Sequence, residues 1–265
     1  MDLGLLGKRA IVTGGSRGIG KAVARALAAE GCDFVVAART RAPFEASARE
    51  LADGTDRSVT PIVVDTGDEE SVRSLVEDAN ATLGGVDILV NSAAKPLGQA
   101  APPKLAEVTG ELFWEDMNVK VLGYLRCAQA VAPLMAAQGW GRIINISGLG
   151  ARSTGVLIGS MRNVAVAAMT KNLADELGQS GINVVVVHPG LTRTEATPGV
   201  IARIADARGI SEREAEASLV RNSIQRFVDA TEVADIVTFL ASPRSSAITG
   251  DAIACGGGQP GAIYY

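Results

Sequence analysis

The chain has 265 residues, of which 47% are hydrophobic and 4% aromatic, and a formal net charge of −4. That length and apolar content support a sizeable core of Ala, Val, Ile and Leu, as helices packed on a parallel sheet require. The acidic balance and the lack of any Lys or Arg run exclude an electrostatic footprint for nucleic acid, and no apolar run reaches the ~18 residues of a membrane span.

Met1 to Lys8 lacks the basic start and long apolar centre of a signal peptide, so a cytoplasmic location is expected. The first strand, Arg9 to Thr13, runs into Thr13-Gly14-Gly15-Ser16-Arg17-Gly18-Ile19-Gly20 and then a helical pattern to Glu30, closed by Gly31. A glycine turn between strand and helix is a phosphate cradle. Glycine lets a pyrophosphate approach the main chain, and the free N–H groups of the helix start stabilise the anion. Gly14, Ser16, Arg17, Gly18, Ile19 and Gly20 are therefore candidate cofactor contacts. The second apolar run, Phe34 to Ala38, ends at Arg39-Thr40-Arg41, where a dinucleotide fold places the adenosine ribose. An arginine there pairs with a 2′-phosphate, so Arg39, helped by Arg17, points to NADP(H) over NAD(H).

A helix is expected from Phe44 to Leu51. Strand Val59 to Val64 then delivers Asp65 and Thr66, an acid placed to accept from an adenine amino group. Asp68-Glu69-Glu70 opens a helix, and strand Val86 to Val90 delivers Asn91, Ser92, Ala93 and Ala94, small residues against which a flat cofactor can lie. One long helical region, Leu105 to Ala136, carries Asn118. Strand Gly141 to Ser147, a loop with Arg152, and a helix from Ile158 to Gly178 follow. The valine-rich strand Ile182 to Val187 reads as a central one covered on both faces. It ends in His188-Pro189-Gly190, with Thr192 and Thr194 beyond. From 195 to 226 periodicity weakens and charge rises, with a helix expected at Ser211 to Val220; this is the expected substrate cover. A helix at Glu232 to Leu240 and a strand at Asp251 to Ala254 complete the pattern. Cys32, Cys127 and Cys255 show no metal or disulfide spacing, so no metal site is expected. The alternation predicts one domain over 1–265, a doubly wound α/β sheet with its ligand crevice at the strands' C-terminal ends.

Together these residues resemble the short-chain dehydrogenases/reductases over nearly the whole chain. The glycine loop resembles the family's cofactor loop, Asp65 its adenine-binding acid, and Asn91-Ser92-Ala93-Ala94 its N-N-A-G element with two substitutions. Asn118 resembles its active-site asparagine, while Pro189, Gly190 and Thr194 resemble its nicotinamide-side loop. The resemblance implies hydride transfer between NADP(H) and a small carbonyl or alcohol, in a homodimer or homotetramer. It also implies a tyrosine acid/base with a lysine four residues on, and a serine holding the substrate oxygen.

Here the chain departs from the family. Counting back from Thr170-Lys171 puts Gly159 and Asn163 at the tyrosine and lysine positions; counting forward from Ser147-Gly148 puts Met161 and Ala165 there. Ser147 stands at or one place before the serine. Candidate replacements are Lys95 as proton donor and Arg162 or Asn163 as ribose contact, with Asn118 and Ser147 orienting the oxygen. Lys95, Arg152, Arg162 and Arg193 in segments bordering one crevice suggest an anionic substrate. Two readings stay open: a reductase with an unusual donor, or an NADP(H)-binding, redox-inactive regulatory subunit, partner or sensor.

Overall fold

The computed structural model describes residues 1–40, 47–52, 57–94 and 102–263. Seven parallel strands form one sheet: β1 (Arg9–Thr13), β2 (Asp33–Ala38), β3 (Val59–Val63), β4 (Ile88–Asn91), β5 (Gly141–Ile146), β6 (Ile182–Pro189) and, from the chain's end, β9 (Ala252–Cys255). Their order across the sheet is β3-β2-β1-β4-β5-β6-β9. The chain winds outward from β1 through β2 to β3, then returns to β4 on the other side of β1. The strand order therefore reverses between β1 and β4, and that is where such a sheet opens a ligand crevice.

Alternating side chains serve two cores. Ala10, Val12, Phe34 and Val36 pack on one face, with Val23 and Leu27 of helix α1 (Gly18–Ala29) and Val233 and Val237 of α9 (Ala230–Ala241). Ile11, Val35, Leu89 and Ile143 pack on the other, with Val72 and Leu75 of α3 (Glu69–Leu83) and Val131 of α5 (Gly123–Gln138). β6 is buried at seven of its eight positions, as its valines led one to expect. Gly31 at φ 86° ends α1, and Asp68 caps α3 by accepting from the Ser71 amide at 2.7 Å. Residues 47–52 are helical (α2); the start of that predicted helix lies outside the described residues.

Two regions are more finely divided than the sequence pattern indicates. The helical region from Leu105 to Ala136 is interrupted. It comprises a short turn at Leu105–Glu107, α4 (Gly110–Met117), a π-type turn at Asn118–Leu122, and α5. The segment after β6 is also more ordered than its weak periodicity implied. It holds α7 (Thr197–Arg208) and α8 (Glu212–Leu219), the latter opened by a Ser211/Glu214 capping box. Ile201, Ala205, Ala215 and Phe227 give this segment a core of its own. Two short strands, β7 (Thr192–Arg193) and β8 (Val228–Asp229), pair at its base. Helix α6 (Leu157–Leu177) lies between β5 and β6 in the chain.

Candidate active site

The glycine loop is shaped by close approach to the segment after β4. The Thr13 hydroxyl accepts from the Ser92 and Ala93 amides at 3.2 and 3.3 Å, tying the ends of β1 and β4 together. Gly14, at φ 69°, leaves no room for a side chain: a Cβ would stand 2.8 Å from the Ala93 nitrogen and the Ser92 oxygen. A Cβ on Gly20 would lie 2.4 Å from the Gly14 oxygen. Helix α1 has neither a side-chain cap nor an acidic residue in its first turn. Its Gly18 amide instead donates to Glu195 Oε2 at 2.9 Å, across 177 positions of sequence. That carboxylate oxygen stands where a phosphate oxygen would, so the loop fits an anionic cofactor group. Arg17 and Arg39 are exposed at the ends of β1 and β2, and neither has a carboxylate partner among the described residues. Ser16 accepts a hydrogen bond from the Ser47 hydroxyl at its carbonyl, and Ile19 is half-buried in the first turn of α1.

The other expected contacts divide by what they touch. Asp65 is exposed and accepts from the Gly67 amide at 2.9 Å. Thr66 is buried, and its hydroxyl donates to the Val119 carbonyl at 3.1 Å, bracing the π-type turn. Asn91 points inward, its amide nitrogen donating to Asn145 Oδ1 at 2.9 Å, while Asn145 in turn donates to the Thr170 hydroxyl. Its contribution to the crevice is therefore backbone. Pro189 ends β6, the Gly190 amide donates to the Cys255 carbonyl, and the Thr194 side chain lies against Gly18.

At the C-terminal end of β5 the π-type turn decides which side chains arrive. Its extra residue places Lys120 and Tyr124 over two successive carbonyls: the Tyr124 hydroxyl donates to Ile146 O at 3.0 Å and Lys120 Nζ to Ser147 O at 3.1 Å. Lys120 Nζ also donates to Asn163 Oδ1 at 3.3 Å, and the Ser147 hydroxyl donates to the Asn163 carbonyl at 3.2 Å. The structure thus joins Ser147 and Asn163, both expected, to Lys120, which sequence reasoning had not singled out. Asn118 is not part of this cluster. Its amide donates to Gly67 O at 3.0 Å and its oxygen accepts from Arg126 Nη1 at 2.9 Å, at the turn after β3.

Arg162 is also placed otherwise than expected. It is 2% exposed, and Nη1 donates to both Asp116 oxygens at 2.6 and 2.8 Å. Arg193 pairs with Glu216 and covers the Phe227 ring, its guanidinium carbon 4.9 Å from the ring centroid. Arg152 Nη2 donates to the Ala252 carbonyl at 3.0 Å. Two of the four cations expected to draw an anionic substrate are therefore answered by carboxylates, and the fourth, Lys95, lies outside the described residues.

Burial sets the electrostatics. Lys120 is pushed down to about 7, first by desolvation and then by Arg162, with Asp116 opposing. Tyr124 is pushed well above the usual phenol range by desolvation. His188, 1% exposed, accepts from the Gly148 amide at Nδ1 and is pushed down to about 4 by desolvation, Arg152 and Lys120. This has a consequence for stability. Between the ordinary histidine value and about 4 the unfolded chain binds a proton that the folded chain refuses, so stability rises with pH there and falls on acidification. Urea unfolding at several pH values is expected to show that slope flattened in His188→Gln.

A profile described as Enoyl-(Acyl carrier protein) reductase matches residues 14–259. The Short-chain reductase protein NovJ of Streptomyces niveus is 33% identical over 253 residues, 95% of this chain and 93% of that protein. The chain belongs to the short-chain dehydrogenase/reductase family. Among its relatives, the L-xylulose reductase of Mus musculus is 33% identical over 261 residues, 97% of this chain and 98% of that protein. The crystal structure of L-sorbose reductase from Gluconobacter frateurii, complexed with NADPH and L-sorbose, superposes with a TM-score of 0.93 at 30% identity, covering 99% of this chain and all of that one. As a short-chain dehydrogenase/reductase, the chain has the doubly wound parallel sheet expected of it. No described helix is long and apolar enough to cross a membrane.

Proposed function

We propose that this chain is an NADP(H)-dependent oxidoreductase that moves hydride between the nicotinamide and a small carbonyl or alcohol carbon. The observation carrying the reading is the cradle at α1: an uncapped helix start behind glycines that admit no side chain, already holding a carboxylate oxygen at Gly18. Gly14 through Gly20 would hold the pyrophosphate, Arg17 and Arg39 a 2′-phosphate, Asp65 the adenine, and the backbone of Ser92, Ala93, Pro189 and Gly190 the nicotinamide side. When bound, the cofactor supplies the hydride. The chain's own residues orient the carbonyl and exclude water. The relatives named above, an L-xylulose reductase and an NADPH-bound L-sorbose reductase, support this substrate class. The segment 195–226, with its separate core, is the proposed cover over the crevice. Assembly as a homodimer or homotetramer in the cytoplasm completes the reading.

In this reading Gly159 and Asn163 occupy the family's tyrosine and lysine positions, so the pair is replaced. One observation favours the redox-inactive alternative: the described tyrosine nearest the site, Tyr124, has its hydroxyl committed to Ile146 O. Calorimetric titration with NADPH and NADH, followed by turnover with keto-sugars and ketoacyl substrates, separates the two. Tight NADPH binding with carbonyl-dependent oxidation is expected; binding without turnover of any carbonyl would favour the alternative. Glu195→Gln is expected to tighten NADPH about two- to fivefold, because a carboxylate no longer competes at the helix start. Unchanged affinity would show that Glu195 leaves the cradle at no cost.

A further inference from the structure

The groups around Ser147 that hold a proton are nearly all committed. Arg162 is bound to both oxygens of Asp116, and a guanidinium releases no proton near neutrality. His188 accepts the Gly148 N–H at Nδ1 and is held as a neutral imidazole, which is no acid near neutrality, and the Tyr124 hydroxyl donates to Ile146 O. The Ser147 hydroxyl is spent on the Asn163 carbonyl. Lys120 differs from all of these. It is 4% exposed, and two of its three N–H bonds go to neutral oxygens, Ser147 O and Asn163 Oδ1. No described carboxylate pairs with it, and the third N–H has no hydrogen-bond acceptor among the described residues. The Tyr124 ring centroid lies 5.9 Å away. An ammonium buried among neutral oxygens is costly to the fold, and groups so disfavoured gather where their chemistry is used.

We propose that Lys120 is the proton donor of this site, its ammonium beside Ser147 and Asn163 delivering the proton to the substrate oxygen as the carbonyl is reduced. The inference rests on the reductase reading and names the acid that reading lacks. Reduced nicotinamide would be the reductant: one of its ring C–H bonds would break and the hydride would leave with the bonding pair, oxidising the ring, as the new C–H bond forms at the carbonyl carbon and the C=O π pair moves to oxygen. That oxygen takes H⁺ from Nζ; the N–H bond breaks and its electron pair stays on nitrogen. Solvent returns a proton to the amine before the next cycle. In the oxidising direction the neutral amine accepts the alcohol proton. Asn163 is a positioning residue, accepting one N–H and so aiming the others. Facing Lys120 are Arg162 on α6, Asp116 on α4, Tyr124 on α5 and His188 on β6, itself under the field of Arg152. Desolvation and Arg162 leave the ammonium ready to exchange its proton near neutrality, where a general acid works best.

The test compares the wild-type protein with Lys120→Met and Lys120→Arg in three measurements: NADPH affinity by calorimetry, turnover of the carbonyl panel against pH, and ¹⁵N NMR of labelled lysine side chains. Expected in the wild type is one lysine nitrogen titrating near neutrality, absent in both variants, and a reducing rate that falls as it deprotonates. Both variants are expected to lose about 100-fold or more in kcat with NADPH affinity within a few fold. Lys120→Arg keeps a cation but has no proton to give, so recovery of the rate in that variant would reduce Lys120 to a point charge and overturn the proposal. Lys120→Met is expected to melt no lower than the wild type, because it removes an unpaired buried charge; a lower melting point with kcat unchanged would also overturn it. Failure of the wild type to reduce any carbonyl overturns the reductase reading and the donor role together. Wild-type turnover with Lys120→Met unaffected overturns the donor role alone.

Discussion

Gly20→Ala is expected to weaken NADPH binding by about two decades and to lower stability by about 2 kcal/mol. The added Cβ would stand 2.4 Å from the Gly14 oxygen and 2.9 Å from its carbonyl carbon, both backbone atoms that cannot rotate aside. Gly14 has no room to yield, because its own Cβ position already lies 2.8 Å from the Ala93 nitrogen. The loop must therefore open, and the amides it presents to an anion move with it. Gly199→Ala is the control: it lies in α7 with nothing within 4 Å of a Cβ, so it is expected to be neutral or slightly stabilising. Calorimetry and urea unfolding on the two variants measure both effects; equal NADPH affinity would remove the glycine loop from the binding site.

The second large effect concerns Asp116→Ala. It would strand the Arg162 guanidinium, 2% exposed and with no hydrogen-bond partner for its Nε among the described residues. Removing one member of a buried pair costs about 3–5 kcal/mol, or about 10 °C in melting temperature for a chain of this size. Adding Arg162→Met should restore most of the loss, since no unanswered charge remains. Asp116 also favours the charged form of Lys120, so the single variant should push that lysine lower still, whereas the double variant also removes the Arg162 field that opposes it. Thermal melts of the single and double variants check the first point. Lysine ¹⁵N NMR checks the second.

The sheet was legible because its strands are short apolar runs bounded by turn residues. The glycine loop, the Gly31 stop and the Ser211 start of α8 all carry local signals whose physics does not depend on distant partners. The Lys120 cluster was not legible for the opposite reason. The family resemblance placed Asn118 at the site, but the π-type turn from Asn118 to Leu122 changes which residues face β5, and a backbone hydrogen-bond shift leaves little trace in side-chain order. The available sign was a lysine flanked by Val119, Val121 and Leu122, an apolar setting unusual for an exposed cation. Arg162 was hidden for a similar reason: from sequence it is a candidate ribose contact bordering the crevice, and its pairing with Asp116, 46 positions away, accompanies its burial. β7 and β8, two residues each, are too short to read at all.

The paired strands β7 and β8 join the two ends of the segment between them, Ile201, Ala205, Ala215 and Phe227 give it a core of its own, and two further ties reach the sheet side: Ser223 and Ile224 donate to the Gly258 and Gly257 carbonyls, and Glu195 accepts from the Gly18 amide. Such a unit is a cassette. Helices α7 and α8 can change in length and composition around that separate core, whereas Glu195 and residues 222–224, which touch the glycine loop and Gly256–Gly258, would have to be kept in any graft of the corresponding stretch from a relative.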